Sequence, residues 1–388
     1  MVEIKQALQI IRSQDVPLDS EVVSLKDSLG RVLAEDLRAG FDLPGFDNSA
    51  MDGYALGGLQ QEYKLVGEVA AGDLKEIIPK IGEAVRIFTG AKVPQGTSAV
   101  IMQEKTEVKN DLLFLDQLPV EGQCIRKKGE ELRSGELVFN SSYKITAAGI
   151  GMIGSLGLDK VKVFKKPVIR LITTGNELVA PGGSLQGGQI YESNSGAIVA
   201  ALNSKGFTSA GNEQIKDDFE QIKTGIAEAL QNAGVLILSG GISVGNYDFV
   251  KQALEENGVD ELFYKVKQKP GKPLFFGRKE NKFIFALPGN PASSLSCFYI
   301  YVLPLLQKLS GLAGNGLLEL HLPAASDFQN RGDRPVFLKA NIEDNTVRIL
   351  NAQGSSMIGS MAKGNALAFV EAFEKIEKGS LIKTFLIS

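Results

Sequence analysis

The residues best placed to do chemistry lie in the stretch VLILSGGISVGNYDF, residues 235–249. Two chemistries fit it. Gly241-Ile242-Ser243-Val244-Gly245 matches G-x-S-x-G, the elbow that exposes a nucleophilic serine at a strand-to-helix turn. The same run reads as a glycine loop between a strand and a helix, where backbone N–H groups cradle a phosphate. A serine nucleophile needs a histidine base. The chain has one histidine, His321, in LELHLPAA, which reads as a strand of a later domain. The cradle is therefore the stronger reading. Gly240, Gly241 and Gly245 admit backbone donors, and Ser239 and Ser243 supply hydroxyls.

Acids flank the same mouth. Glu177 closes TTGNE after one apolar run, and Asp248 follows the glycine loop at the start of a helix. Carboxylates beside a phosphate repel it unless a cation intervenes, and Mg²⁺ takes a few carboxylates together with phosphate oxygens and water. A metal-bridged phosphate anhydride accounts for both acids. Taken singly, Asp248 fits a helix-capping acid and Glu177 a solvated loop residue. A third strand end, LPGNPAS at 287–293, faces the same way. In KQKPGKPLFFGR, Lys269 and Lys272 flank Pro270-Gly271, a turn that lets two cations converge on one oxyanion. Lys265 and Lys267 fit a solvated strand edge equally well.

These loops need a scaffold of strands ending on one side. From Pro167 onward, apolar runs alternate with amphipathic ones: PVIRLITTG, ESNSGAIVAALNSKG, FTSAGNEQI, DDFEQIKTGIAEALQNAG, VLILSGG and NYDFVKQALEENG. That alternation predicts a three-layer α/β sandwich with a mainly parallel sheet, whose ligands sit at the carboxyl ends of the strands. PASSLSCFYIYVLPLLQKL closes it as one long helix. Residues 63–139 read as an all-β module of short strands, and the chain returns to short strands after about residue 312. The first helix spans roughly residues 2–13, with Ile4, Ala7, Leu8 and Ile11 on one face. Gly149-Ile150-Gly151-Met152-Ile153-Gly154 is formally G-x-G-x-x-G. No strong strand precedes it and no acid follows at the required distance, so close helix packing explains it better than a dinucleotide.

Composition narrows the function classes. With 388 residues the chain holds more than one domain. A net charge of −3 gives no general attraction to nucleic acid, so any anion site must be a local cluster. Cys124 and Cys297 are too few and too far apart for a disulfide framework or a structural zinc site. No apolar run approaches the ~18 residues of a membrane span, and the amphipathic start is not a secretory signal, so a cytoplasmic protein with no membrane partner is expected.

Taken together, the motifs resemble the MoeA family, the molybdopterin molybdenumtransferases, whose eukaryotic counterpart is the gephyrin E domain. The resemblance rests on PGFDNSAMDGYAL (44–56), GEVAAGD (67–73), IFTGAKVPQGTSAVIMQE (87–104), RKKGEELRSGELV (126–138) and ITTGNELVAPG (172–182). It continues through GGQIYESNS (187–195), LSGGISVGNYDF (238–249), KPGKPLFFG (269–277) and LPGNPASS (287–294). It implies four domains: an elongated, discontinuous N-terminal dimerisation domain at 1–50 and 134–166, an inserted β domain at 51–133, an α/β molybdopterin-binding domain at 167–311 and a small C-terminal β domain at 312–388. It also implies a homodimer, with each active site lying between the α/β domain of one subunit and the inserted β domain of the other.

By the same resemblance, members take molybdate and adenylylated molybdopterin, insert molybdenum, cleave the anhydride with a divalent cation and release AMP. Functional acids carry over to Asp52, Glu131, Glu177, Asp217 and Asp248, with Thr89 beside Asp52. Glu131 stands where Asp is common, and Asn176 replaces the usual Asp of TGDEL, removing one negative charge. Pro288 and Pro291, with Gly289 and Asn290 between them, match the substrate-binding LPGNP. Arg334 and Ser355 resemble a molybdate-binding pair working with Lys269 and Lys272. The expected course docks the anhydride on the 239–245 loop, with Mg²⁺ on Glu177, Asp248 or both, molybdate on the lysine side and no protein nucleophile. A partner is the molybdopterin adenylyltransferase that makes the substrate. That adenylyltransferase activity itself, or a dimeric scaffold of gephyrin E-domain type, are the alternatives. Consumption of ATP without molybdate would favour the first, and substrate binding without metal-dependent cleavage the second.

Overall fold

The computed structural model describes residues 1–242 and 249–387. The chain divides into two compact units, one formed by Met1–Val22, Gly30–Val32 and Lys162–Ser388, the other by Val23–Leu29 and Leu33–Val161.

In the second unit the all-β reading of 63–139 resolves into a six-stranded sheet. Its order is Ala99–Met102, Gly53–Leu56, Glu83–Ile87, Glu62–Val69, Leu112–Leu115 and Thr106–Lys109. Both faces are packed because side chains alternate across a strand. Tyr54 and Leu56 join Tyr63, Ile101 and Leu113 on one face, whereas Ala55 joins Val85, Ile87 and Val100 on the other. A separate helix, Ala147–Ser155, starts where the Thr146 hydroxyl accepts from the Gly149 N–H at 3.0 Å. Gly149, Gly151 and Gly154 thus lie inside a helix, not at a strand-to-helix turn. A side chain at Gly149 would strike the Tyr143 hydroxyl at 2.8 Å, which accounts for glycine there by close packing.

The first unit holds a six-stranded sheet ordered Ser209–Ile215, Ile169–Thr174, Val235–Ser239, Lys282–Leu287, Phe275–Lys279 and Asp260–Tyr264. The first four strands are mutually parallel, and the last two form an antiparallel edge. Parallel sheets survive only when both faces are covered. Here Leu171, Ile237 and Phe285 pack on one face beneath the Asn194–Ser204 helix and the Pro291–Lys308 helical run. Ile172, Leu238 and Ile284 pack on the other, beneath Phe219–Asn232 and Phe249–Glu256. The three layers are those the sequence alternation implies.

Two features differ from the sequence reading. The first helix, Ile4–Ser13, buries Ile4, Ala7 and Ile11 in the α/β core, so residues 1–22 group with that unit rather than with 33–161. The long closing helix is interrupted: Pro291–Cys297 and Leu303–Lys308 are α-helical, with the π-helical turn Phe298–Val302 between them. Pro304 has no N–H to donate and crowds the carbonyl four residues back, which widens the preceding turn. The expected C-terminal β domain is present as a five-stranded antiparallel sheet with two apolar faces. Val336, Leu338 and Ala340 pack within it, whereas Phe337 and Leu367 join the α/β core. No helix among the described residues is long and apolar enough to cross a membrane.

Candidate functional site

A cleft of about 640 Å³ opens at the carboxyl ends of the parallel strands. Three strand ends build it. Ile169–Thr174 leads to Thr174 and Glu177, Val235–Ser239 to Ser239, Gly240 and Gly241, and Lys282–Leu287 to Pro288, Gly289, Asn290 and Pro291. Asp217 enters from the loop after the edge strand Ser209–Ile215. Nine residues singled out by sequence therefore line one cavity: Glu177, Asp217, Ser239, Gly240, Gly241, Pro288, Gly289, Asn290 and Pro291. Ser243, Gly245 and Asp248 lie outside the described residues.

The glycine turn is forced by its neighbours. Gly240 has φ +98°, and a Cβ there would sit 2.3 Å from the Thr174 carbonyl oxygen. Gly241 has φ +64°, and its Cβ would sit 2.5 Å from Val250 and 2.6 Å from the Thr174 hydroxyl. Only glycine combines a positive φ with that approach to a central strand. Ser239 is fully buried, and its hydroxyl is engaged within the protein. It accepts from Asn194 Nδ2 at 2.9 Å and bonds Ser294 Oγ at 3.1 Å. Its side chain therefore holds the walls of the cleft together.

The KDDF stretch divides its two acids. Asp218 caps the Phe219–Asn232 helix by accepting from the Gln221 N–H at 3.0 Å. Asp217 is released from capping and points its Oδ1 into a buried position with no hydrogen-bond partner. Its backbone N–H is held by Asn176 Oδ1 at 3.2 Å, so the residue at the place of the usual Asp fixes the loop of the neighbouring acid. Glu177 is exposed in the same cleft. No group of three or more His, Cys, Asp or Glu is gathered for a metal among the described residues. Two hard carboxylates, one with an unpartnered oxygen, fit Mg²⁺, which keeps most of its shell for phosphate and water.

Sequence reasoning missed two cleft residues. Thr174 Oγ1 and Asn194 Oδ1 are buried without partners. Asn194 Nδ2 donates to Ser239 Oγ and, at 2.7 Å, to the Gly289 carbonyl, tying two strand-end loops while leaving its own oxygen for a ligand. It sits in YESNS, so the motif was in view, but only the fold shows which of its polar atoms remains unpaired. Glu192, two residues before it, accepts from the Ser195 N–H in the first turn of the helix at 2.9 Å.

The four residues expected to bind an oxyanion are divided. Lys269 and Arg334 share a second cavity of about 370 Å³ with Asn330, Arg331, Asp333 and Gln353. Arg334 Nη1 donates to the Gln268 carbonyl at 3.4 Å, and its Nε lies 3.8 Å from the exposed carboxylate of Asp333. Ser355 Oγ instead accepts from Asn290 Nδ2 at 3.0 Å, at the rim of the first cleft. Lys272 lines neither cavity, and its carbonyl accepts from the Val266 N–H. Backbone bonds from Lys269 N to Pro335 O and from Phe337 N to Lys269 O, at 2.9 and 2.8 Å, dock the lysine turn on the C-terminal sheet. A third cavity of about 330 Å³, lined by Ile4, Leu8, Tyr299, Phe337, Phe369 and Phe385 among others, carries none of the candidate residues.

In the other unit, Asp52 Oδ1 accepts from both the N–H and the hydroxyl of Thr89, at 2.8 and 2.7 Å. The Thr89 N–H bond, then the hydroxyl bond, hold the Asp52 carboxyl below its ordinary pKa. Glu131 lies 3.7 Å from Arg126.

The chain matches three family regions in order: the MoeA N-terminal region (domain I and II) at residues 2–157, a probable molybdopterin binding domain at 170–308 and the MoeA C-terminal region (domain IV) at 321–387. It is 35% identical to a molybdopterin molybdenumtransferase of Haemophilus influenzae, covering 96% of this chain and 95% of that one. A protein of the same name from a Nostoc species is 33% identical, over 92% and 86% of the two chains. The crystal structure of the molybdopterin biosynthesis MoeA protein from Pyrococcus horikoshii superposes with a TM-score of 0.84 at 28% identity, covering 100% of both chains. On identity, coverage and the order of its regions, this chain belongs to the MoeA family.

Proposed function

We propose that this chain is a molybdopterin molybdenumtransferase, inserting molybdenum from molybdate into adenylylated molybdopterin with release of AMP. The observation that carries the reading is the strand-end cleft. It sets a glycine turn and two carboxylates around one nucleotide-sized cavity, in a chain aligned end to end with relatives of that name. The Gly241 N–H approaches the phosphates, and Thr174 Oγ1 and Asn194 Oδ1 bond polar atoms of the nucleotide or pterin. Glu177 and Asp217, with Asp248, would hold Mg²⁺, whose chemistry when bound is to neutralise phosphate oxygens as the anhydride opens. Lys269 and Arg334 receive molybdate through charge-assisted hydrogen bonds, in a cavity separate from Glu177 and Asp217.

The finer reading includes a homodimer in which Asp52 and Thr89 of one copy serve the cleft of the other, and a substrate made by an adenylyltransferase. The test is incubation of the full chain with adenylylated molybdopterin, Mg²⁺ and molybdate, scoring AMP and active cofactor. Metal-dependent AMP release that falls roughly 100-fold in Glu177→Gln and Asp217→Asn, with both variants folded, is the expected result. ATP consumption without molybdate, or full turnover in both variants, would refute the reading.

A further inference from the structure

The C-terminal sheet carries one buried cation that the proposed reaction does not use. Lys339 lies on the strand Val336–Glu343 and is 4% exposed. Alternation along that strand puts it on the same face as Phe337, the face that joins the α/β core. Its ammonium donates to three backbone carbonyls, Ala352 at 2.8 Å, Gly354 at 2.9 Å and Met357 at 3.0 Å. Three donors meet three acceptors, and all three acceptors belong to one short loop. Burial lowers its pKa, and among the described residues no carboxylate pairs with it. A buried ammonium without a carboxylate is costly unless its hydrogen bonds are complete, so this arrangement constrains the loop tightly.

That loop joins the two cavities. Gln353 lines the Lys269–Arg334 cavity, and Ser356 lines the strand-end cleft. Between them, Ser355 Oγ accepts from Asn290, and the Ser355 carbonyl accepts from the Ser293 N–H at 3.2 Å. The loop is also pinned from behind. Gln353 exchanges bonds with the Lys339 backbone at 2.9 and 2.8 Å, and Ser360 Oγ donates to the Ala352 and Met357 carbonyls at 2.9 and 3.1 Å.

We propose that Lys339 is a positioning residue for oxyanion capture: without touching the oxyanion, it folds the 352–357 loop so that Gln353 faces the cation-lined cavity and Ser355 faces Asn290. The inference rests on the proposed reading of that cavity as the molybdate site. Lys339 and the Ser355–Asn290 bond hold one and the same loop in place, so the two substitutions must not multiply.

The experiment measures AMP release against molybdate concentration at saturating adenylylated molybdopterin. Lys339→Met is expected to raise KM for molybdate about tenfold while kcat stays within about twofold, the mark of a lost binding interaction. In a Ser355→Ala background, Lys339→Met should add less than about twofold. Ser360→Ala, which loosens the same loop without removing the buried charge, should raise KM about threefold and serves if Lys339→Met does not fold. An unchanged KM in the folded variants, a fall in kcat alone, or multiplicative effects with Ser355→Ala would overturn the role of Lys339. If Ser355→Ala raises KM and the other two do not, this inference alone fails. If the unaltered protein shows no saturation by molybdate, the reading of the cavity fails with it.

Discussion

Replacing Gly240 by alanine tests the cradle at its narrowest point. The new Cβ would lie 2.3 Å from the Thr174 carbonyl oxygen and 3.2 Å from its hydroxyl, at a φ of +98°. The backbone conformation alone costs an L-residue about 1–3 kcal/mol. The clash is with main chain in a strand paired on both sides, so the turn must move instead, adding about 1–3 kcal/mol of overpacking. Stability should therefore fall by roughly 2–6 kcal/mol, lowering Tm by about 5–20 °C for a unit of this size. On the proposed docking, displacing the Gly241 N–H would also remove one charge-assisted hydrogen bond, about 1.5–3 kcal/mol, which is about a 10- to 100-fold rise in KM for the adenylylated pterin. Gly289→Ala is the control. Its Cβ would meet only the Gly240 Cα, at 3.5 Å, an ordinary contact, so its Tm should stay within about 2 °C. Circular dichroism melting and steady-state AMP release read both quantities. A Gly240→Ala protein with unaltered Tm and KM would refute the close approach and, with it, the cradle.

Asp52 should titrate below the ordinary carboxylate value of 3.8, and Thr89→Val, which removes the hydroxyl donor, should raise its pKa in a carboxyl NMR titration. Because the folded pKa is depressed, the stability this pair contributes is complete above the unfolded value and is lost as pH falls through the folded one. An unaltered Asp52 titration in Thr89→Val would contradict the bonding. Burial pushes the Cys297 thiol up to about 12, whereas Cys124 is half-buried. Iodoacetamide at pH 8 should therefore label Cys124 and spare Cys297 until the protein unfolds, and modification of Cys297 in the native protein would count against the packing. If the sites are shared across a homodimer, remixing inactive Asp52→Ala with inactive Glu177→Gln should restore about a quarter of the activity, since half the dimers are mixed and each has one intact site. No recovery after verified subunit exchange would place both residues in one subunit's site.

Much of the site was legible because its residues lie at strand ends, and strand ends are what apolar periodicity locates best. Thr174, Ser239 and Pro288 each follow a run buried on both faces, so the alternation that predicts the layers also predicts which loops share a mouth. Other features depend on partners distant in sequence. Nothing in LKANIE distinguishes Lys339 from a solvated strand lysine, because its three acceptors are carbonyls that any sequence would supply. Asn194 reads as a helix-start residue until Ser239 and Gly289 are seen to occupy its nitrogen. The first helix was recognised by its apolar face, but periodicity does not say which core that face enters, and Ile4, Ala7 and Ile11 enter the α/β one. The π-helical turn before Pro304 was legible in principle, since proline cannot donate to the turn behind it.

The layout of charge suits the proposed reading, in which two anions are handled at two places. With a net charge of −3, the chain as a whole draws in neither a nucleotide nor molybdate, so each must be met by local groups. A phosphate anhydride beside Glu177 and Asp217 requires a cation between them, whereas a tetrahedral dianion is best met by Lys269 and Arg334 directly. On the proposed reading one set of groups cannot serve both, because acids placed to hold a cation repel a bare dianion. The seam between the two cavities is correspondingly uncharged, running through Asn290, Gln353, Ser355 and Ser356. Its one cation, Lys339, is turned inward onto carbonyls. On the proposed reading, an oxyanion moving from Lys269 and Arg334 toward the pterin meets this uncharged seam, which makes the fold of the 352–357 loop as consequential as the ligands on either side.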